Sequence, residues 1–427
     1  MRLFIAGASP LRTTSNSLKL SFATLPELKS YRAPSFTTIK YWVQQVGYYK
    51  LKRAKTVAND WMALIDASIQ MGEKKCVLIL GCRVDTFRKI ENRALTLQDL
   101  EVLSMRIVSC LNSDVITEML NEVALAVGKI IAICSDRGSE ILRGVKNFQL
   151  TNPGTRHISD TAHRVSNLLE ATLEKTSQWR KFREEVTLAR RKMQHSLIPG
   201  ALPPSPRAKA RYMNVDSLIR WAADMLVLLD HGTSNPGLNI DELRKYLGWL
   251  SFYRDDIEYW NRIISIGVAA RYVVRMEGIH MNIVDSFEDA ISFVKMGVRE
   301  FKFADQLAEF LLNQSRGVKF GECFIGSTEV LESLFGKIKY IEREQRAFGF
   351  TSLLLAAMAA VGPLDEATVM EAVASVKRSD IKAWTTKELG QSVQSQRRQI
   401  KKIVAKLTDK VVKMGQDVSG IFERATA

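Results

Sequence analysis

Two aspartates stand in contexts where a carboxylate could do chemistry. Asp66 lies inside the apolar segment 61–70, where an unpaired ionised group is costly to bury and so needs a partner or a metal. Asp136 follows the apolar run 129–134, and the carboxyl ends of strands in open α/β sheets are where ligands collect. Taken singly, each has a simpler explanation, Asp66 as a cap for neighbouring backbone and Asp136 as the start of a helix.

A third acid, Glu332, lies in the segment 327–340, which begins with Ser and Thr and then follows a helical pattern. Lys339 comes about two helical turns later, so the two side chains share a face. An acid able to bind a metal and a cation able to bind phosphate would then point the same way. Without the two aspartates, an ordinary solvated helix face would be the preferred interpretation.

The composition limits the class of protein. The 427 residues are 46% apolar and 25% charged, which excludes a collagenous, disulfide-scaffold or largely disordered chain. This length suggests two or three domains. Lys and Arg outnumber Asp and Glu by 61 to 46, and the net charge of +15 favours a polyanionic partner such as nucleic acid.

Other features indicate a cytoplasmic protein. The longest apolar stretch, 352–364, is shorter than the roughly 20 residues that a bilayer requires, so no membrane span is expected. The amino terminus lacks the apolar core of a secretory signal. The five cysteines include no CxxC pair and read as buried residues in a reducing compartment.

The elements that would position the acids follow the order of an RNase H-like α/β core. Residues 1–33 show no strong periodicity and are expected to be irregular, and one short helix is predicted at 34–46. The core pattern begins with a hairpin of two strands at 61–70 and 75–84, a third strand at 101–110 and a helix at 114–127. A strand buried on both faces at 129–134 and a fifth strand at 156–159 complete it.

Most of the remaining chain has helical spacing. The predicted helices lie at 168–194, 215–229, 241–260, 262–274 and 287–312, and the proline-rich segment 199–206 breaks the pattern. We interpret residues 170–320 as a helical insertion. Near the carboxyl terminus, 395–413 forms a basic amphipathic helix that could pack on the core, dimerise or lie along DNA, of which packing or dimerisation is preferred.

Together, Asp66, Asp136 and Glu332 resemble the catalytic acids of the DDE transposases, polynucleotidyl transferases with an RNase H fold. The segment LIDASIQMGEKKCVLILG is similar to the opening hairpin of bacterial insertion-sequence transposases. DTAH, Asp160–His163, matches the [C/D]xxH motif found after the second aspartate in transposases with an interrupted core. The mostly helical segment between Asp136 and Glu332 resembles that of the hAT-like group.

The resemblance also implies DNA contacts. IRWAADML, 219–226, is similar to a family segment whose Trp supports a flipped base or hairpin end, so Arg220 and Trp221 are candidates, with a core tryptophan as an equal alternative. Residues 35–45 resemble a recognition helix that would carry Lys40, although 29–33 leave little room for its positioning helix. His163 would support the acids or touch substrate, or be a core histidine, and Lys337 and Lys339 would touch phosphate.

By this resemblance, the three acids would bind two Mg²⁺ ions about 4 Å apart, with Mn²⁺ able to substitute, and would activate water or a 3′-hydroxyl without a covalent enzyme intermediate. Glu329 competes as third acid. Glu332 is preferred because a lysine follows it by seven residues, whereas Gly336 holds that place after Glu329. The implied partners are double-stranded DNA, as transposon ends and target, and a second copy or more of the chain, near the bacterial nucleoid.

The expected fold class is an α/β RNase H-like core, a mixed sheet flanked by helices, interrupted by an all-α insertion and followed by a helical carboxyl-terminal region. The expected divisions begin with an amino-terminal region, 1–55, that carries a partial helix-turn-helix, and the first part of the core, 56–169. The insertion, 170–320, is followed by the second part of the core with the third acid, 321–375, and by a basic helical end, 376–427.

Two alternatives stay open. A catalytically inactive, domesticated transposase would bind DNA without cutting it, and a helical scaffold would use all three acids structurally and hold them far apart. Walker, GxSxG, HExxH and GxGxxG patterns are absent, which disfavours ATP-driven, serine-hydrolase, zinc-protease and dinucleotide chemistry.

Overall fold

A computed structural model shows a mixed α/β protein in which helices predominate. It describes residues 1–5, 9–71, 74–196, 198–204, 215–232, 239–343, 350–390 and 395–408. Within these residues, five strands form a single sheet: β1 (Ala58–Met71), β2 (Lys74–Arg83), β3 (Glu101–Val108), β4 (Gly128–Ser135) and β5 (Arg156–Ser159). All five strands overlap the predicted ones.

The strands are arranged in the order β3-β2-β1-β4-β5. β1 pairs antiparallel with β2, and β2 antiparallel with β3, whereas β4 runs parallel to both β1 and β5. This mixed topology is compatible with the predicted RNase H-like core. It places β1 and β4 side by side in the middle of the sheet with their carboxyl ends at the same edge.

The helices are numbered in chain order. They are α1 (Arg2–Ile5), α2 (Leu11–Thr24), α3 (Phe36–Lys52), α4 (Val84–Lys89), α5 (Ser113–Val127), α6 (Ser139–Thr151), α7 (Thr161–Leu173), α8 (Ser177–Met193), α9 (Val215–His231), α10 (Ile240–Leu247), α11 (Arg254–Glu277), α12 (Ile283–Ile291), α13 (Val298–Ser315), α14 (Glu329–Arg343), α15 (Leu354–Ala359), α16 (Glu366–Ser375), α17 (Arg378–Trp384) and α18 (395–408).

Alternation along β1 divides the apolar core between the two faces of the sheet. Trp61, Ala63 and Ile65 face one side, where they pack with buried residues of α5 and α6. Met62 and Leu64 face the other side, in a cluster that includes residues of α7, α11 and α14. Because successive strand residues point to opposite faces, Asp66 belongs to the second face, beneath the helices of the later chain.

The predicted insertion is helical, but its helices are divided differently from the prediction. The predicted helix 168–194 is interrupted after α7, where the Thr176 side chain caps α8. The predicted helix 241–260 breaks at Leu247 into α10, a 3₁₀ segment and α11, which continues without a break to Glu277. Aromatic side chains of these segments pack together. Trp179 of α8 packs edge-on against Trp260 of α11 with 5.0 Å between ring centroids, and Trp249 of the 3₁₀ segment lies 5.8 Å from Phe182 of α8.

The predicted helix 287–312 also divides, into α12 and α13, with the segment 292–297 between them. Phe287 and Ile291 of α12 and Phe303, Leu307 and Leu311 of α13 are all buried, so each helix turns its own apolar stripe into the core. The tight turn between the helices allows both stripes to face inward, which a single straight helix would not.

The prediction of an irregular segment at 1–33 is wrong, because α2 covers Leu11–Thr24 and packs against α3. Leu11 and Leu18 join the cluster that holds Ile39 and Val43 of α3, and the Ser15 hydroxyl donates to the carbonyl of Pro34 at 2.9 Å. A helix therefore does precede the one that resembles a recognition helix.

Helix α3 lies against α15 and α16, which come from the far end of the chain. An added Cβ at Gly47 would collide with the Leu355 carbonyl, so glycine permits this close approach. The ammonium of Lys50, buried in the same interface, donates to the carbonyls of Ala359, Val361 and Gly362 at 2.7–3.0 Å. The amino-terminal helices thus pack on the carboxyl-terminal half.

Helix α18 covers most of the predicted basic amphipathic helix, and residues 409–413 of that prediction lie outside the described residues. Ile400, Ile403, Val404 and Leu407 are each more than half exposed. The described apolar stripe therefore does not pack on the core. In the described part of the chain, no helix has the length and apolar character needed to cross a membrane.

Candidate active site

The sheet brings Asp66 and Asp136 to neighbouring positions. Ile65 of β1 pairs with Ser135 of β4, and each aspartate is the next residue along its chain. Leu64 and Cys134, two residues earlier in each strand, both contribute to the core on the side of the later helices. The two aspartates therefore lie at one edge of the sheet and on the same face.

Asp66 is only 6% exposed, which is unusual for a carboxylate. Its pKa is raised to about 7, chiefly by burial and next by the charge of the neighbouring Asp136, with a smaller contribution from Glu332. The backbone N–H of Ala67, which donates to Oδ1 at 2.6 Å, and the charge of His163 act in the opposite direction. Asp66 thus lies within electrostatic reach of three of the predicted site residues.

Asp136 is half-buried at the end of β4 and begins a tight turn into α6. Its Oδ1 accepts a hydrogen bond from the backbone N–H of Gly138 at 3.1 Å. A Cβ at position 138 would come within 3.1 Å of the same oxygen, so glycine leaves room for the Asp136 carboxylate to lie against the backbone of residue 138.

Glu332 approaches the two aspartates from α14, which packs on β1. Its Oε1 lies 3.5 Å from Nε2 of His163, the third residue of α7. Burial raises the pKa of Glu332, the charges of Asp160 and Glu329 raise it further, and His163 and Lys339 lower it. Lys339 therefore shares an electrostatic neighbourhood with Glu332, as the predicted helix face requires.

Asp160 is a functional candidate as a positioning residue, a role that the sequence did not reveal. It is 1% exposed, and its Oδ1 caps α7 by accepting from the His163 N–H at 3.0 Å. Its Oδ2 accepts from the Thr328 N–H at 2.8 Å and from the Thr328 hydroxyl, directly before α14. One carboxylate thus joins the helix that carries His163 to the helix that carries Glu332. Asp is a common residue directly before a helix, so the cap could have been read from the sequence, whereas no local spacing points to Thr328.

The donor chemistry of this acid cluster, Asp66, Asp136 and Glu332, fits a hard divalent cation, since carboxylate oxygens are the ligands that Mg²⁺ prefers. Like charges gathered in a partly buried site also need a counter-charge. As the described side chains stand, however, no three histidine, cysteine or acidic residues are arranged to hold a metal ion. Metal binding would therefore require the side chains to adjust.

The other predicted contacts are distributed over several surfaces. Lys337 and Lys339 are exposed on α14, and Arg220 is exposed on α9. Trp221 is 9% exposed, and its indole N–H donates to the carbonyl of Ala201 at 3.0 Å. This is the position of a core tryptophan. Lys40 is half-buried on α3.

No protein-family model and no curated protein sequence matches the chain. Among solved structures, it is similar to the Drosophila P element transposase strand transfer complex, at 12% sequence identity and a TM-score of 0.31. That alignment covers 89% of this chain and 96% of the other. A likeness at this level assigns no function to the chain.

Proposed function

We propose that the chain is a DNA transposase that cleaves element ends and joins them to target DNA by a metal-dependent DDE mechanism on an RNase H-like core. The observation that carries this proposal is the gathering of Asp66, Asp136 and Glu332 at one edge of the sheet, where Asp66 experiences the charges of the other two. The scaffold alternative requires these acids to lie far apart, so the gathering counts against it.

In this mechanism the three acids share one task, metal binding, and each is held in place by a different contact. Asp66, Asp136 and Glu332 would hold two Mg²⁺ ions, or Mn²⁺, which when bound orient an attacking water or 3′-hydroxyl and stabilise the leaving oxygen. Asp66 is fixed by burial in β1, Asp136 by the Gly138 N–H, and Glu332 by its approach to His163. Asp160 sets the distance between α7 and α14, on which the position of Glu332 depends.

The basic surface would supply affinity for DNA. Lys339 lies near Glu332 and would contact phosphates beside the acid cluster, and the net charge of +15 would attract DNA from a distance. Phosphate contacts of this kind release counterions, so binding should weaken as salt is raised.

The test is cleavage of labelled DNA from the ends of the chain's own element, with Mg²⁺ or Mn²⁺. Asp136→Asn and Glu332→Gln should each reduce nicking or strand joining by at least about 100-fold, which corresponds to the loss of about 3 kcal/mol of transition-state stabilisation. Glu329→Gln is the matched control on the same helix and should retain cleavage. Loss with Glu329→Gln and not with Glu332→Gln would reassign the third acid.

A second candidate function is DNA binding without cleavage, in a domesticated or inactive derivative. It is favoured by the observation that, among the described residues, no three acidic or histidine side chains are arranged to hold a metal as they stand. Salt-sensitive binding of the end DNA with no cleavage in either metal, where a related active enzyme cuts, would establish this alternative. Absence of both binding and cleavage would contradict the two candidates together.

We propose further that the chain pairs two DNA ends as a homodimer through α18. Ile400, Val404 and Leu407 repeat at alternating spacings of four and three residues, and in the sequence Val411, Met414 and Val418 continue this spacing. Such a repeat is typical of a coiled-coil seam. The exposure of the described part of the seam leaves it available to a second copy.

A further inference from the structure

A cleft of about 510 Å³ lies against a face of α14 next to the one that carries Glu332. Its walls come from three separate parts of the chain: the segment 87–98 after β2, the end of α11, and the first turns of α14 with the residues before it. Its volume is within the range of about 300–1,000 Å³ that is common for small-molecule sites.

Three cations from these three parts line the cleft: Arg93, Arg275 and Lys337. Among the described ion pairs, none joins any of these three side chains to a carboxylate within 4 Å. Glu329 also lines the cleft, so the cations still outnumber the acids. Guanidinium groups with an ammonium group are a combination that recognises phosphate.

The remainder of the lining is partly apolar and partly hydroxylic. Phe87, Leu95 and Val274 provide an apolar wall, and Ser333 provides a hydroxyl group beside the Thr96 hydroxyl, which donates to Asp99. A ligand that matches this lining has an anionic end for the cations, a flat or apolar body for the wall, and polar edges for the hydroxyls.

The backbone that presents Arg93 is itself unusual. Asn92 and Arg93 have φ of 54° and 46°, and in the described ranges they are the only non-glycine residues with positive φ. The Arg93 guanidinium donates to the carbonyl of Glu277 at 2.9 Å, which holds it at the end of α11 beside the cleft. Left-handed conformations at residues other than glycine tend to be retained at ligand sites.

From these features we infer that the cleft is a nucleotide-binding site, in which Arg93, Arg275 and Lys337 bind the phosphate and the apolar wall contacts the base. The same chemistry is offered by a free mononucleotide and by a nucleotide within a DNA strand. The inference does not depend on the proposed transposase activity, because the cleft and the acid cluster use different residues of α14.

The first experiment titrates deoxyadenosine 5′-monophosphate into the full chain by calorimetry, without metal or DNA. Binding should be saturable, and both deoxyadenosine and inorganic phosphate alone should bind more weakly. The double variant Arg275→Ala/Lys337→Ala should lose at least about ten-fold in affinity, and Arg275→Lys should lose less. The matched control Lys89→Ala/Lys302→Ala removes two exposed cations outside the cleft and should bind normally.

The second experiment repeats the titration with a short single-stranded oligonucleotide. A cleft-dependent loss with the oligonucleotide alone would identify a nucleotide of DNA as the ligand, whereas a loss with the monophosphate identifies a free nucleotide. Equal affinities of the cleft variant and the matched control for both ligands, with thermal unfolding unchanged, would overturn the inference. The Asp136→Asn chain should bind as the wild type does, so failure of cleavage and failure of this site are separable.

Discussion

At the scale of single residues, the carboxylate of Asp160 accepts hydrogen bonds both from its near neighbour His163 and from Thr328, which follows it by 168 residues in the chain. Its removal would leave the N–H of His163 and both the N–H and hydroxyl of Thr328 without their acceptor in a buried place. Unsatisfied buried donors each cost about 1–3 kcal/mol. Asp160 should therefore contribute more to the free energy of unfolding than an ordinary helix cap does.

Asp160→Ala is expected to lower the free energy of unfolding by about 3–5 kcal/mol, because several buried donors lose one shared acceptor. Asp365→Ala is the matched control, since Asp365 is an exposed residue that caps α16 through the N–H of Thr368 and its loss should cost much less. Urea denaturation followed by circular dichroism measures both. Equal losses for the two variants would show that the link to Thr328 adds nothing.

His157 should make stability depend on pH. Burial lowers its pKa to about 4 from an ordinary 6.5, while in the unfolded chain it binds a proton near the ordinary value. The unfolded state thus binds more protons between these values, and the free energy of unfolding should fall as pH is lowered from about 6.5 to 4, by at most about 3 kcal/mol. Above about 6.5 this contribution to stability is fully present.

The variant His157→Gln removes this titration and keeps a polar partner for the Ser135 hydroxyl, which lies 2.9 Å from Nε2. Its urea midpoint should vary less with pH between 6.5 and 4 than that of the wild type. Parallel curves over this interval would mean that His157 binds its proton equally well in the folded and unfolded states.

At the scale of elements, two glycines in helices predict opposite effects of the same substitution. Gly47→Ala should destabilise the protein by about 2–4 kcal/mol, because the new methyl group would force α3 away from the Leu355 carbonyl. Gly336→Ala on α14 meets no atom within 4 Å and should stabilise the protein by up to about 1 kcal/mol through helix propensity. Thermal unfolding compares the two, and a Gly47→Ala chain at least as stable as the wild type would contradict the close approach of α3 to α15.

The sequence predicted elements well where local pattern decides them. The five strands are short apolar runs between turn residues, and Ser35 marks the start of α3, where its side chain accepts from the Thr38 N–H. The breaks in the insertion helices were missed because they accompany contacts between segments distant in the chain, such as that of Phe182 with Trp249, which no local spacing reveals. Helix α2 was missed because its Ser and Thr residues are weak helix formers, and its contacts with α3 stabilise it instead.

The candidate site was predictable to the same degree. Asp66 and Asp136 stood out because each breaks or ends an apolar run, and their adjacency follows from the pairing of β1 with β4. The link from Asp160 to Thr328 and the meeting of Arg93, Arg275 and Lys337 join segments distant in the chain. No local spacing carries such contacts, so a single sequence does not reveal them.

At the scale of the whole molecule, the exposed seam of α18 predicts a salt response opposite to that of DNA binding. Lysines flank the apolar stripe on both copies and repel each other, so added salt should strengthen the dimer while it weakens binding to DNA. Sedimentation equilibrium at low and high salt measures the first effect.

Leu407→Asp should convert the dimer to a monomer, because it would bury a charge in the seam. Gln399→Asp introduces the same charge on an exposed residue outside the stripe and should leave the dimer intact. A monomeric wild type, or a Leu407→Asp chain that stays dimeric, would remove α18 as the interface.

The order of elements along the chain has a consequence for biosynthesis. β1 and β4 are complete by Ser135, whereas α14 begins only at Glu329. During translation, the sheet and its two aspartates can fold while the codons for the third acid have not yet been read. A ribosome that stops before residue 332 therefore releases a product without Glu332, and under the proposed function such a product could not cleave DNA. Premature termination would then yield inert fragments rather than uncontrolled nucleases.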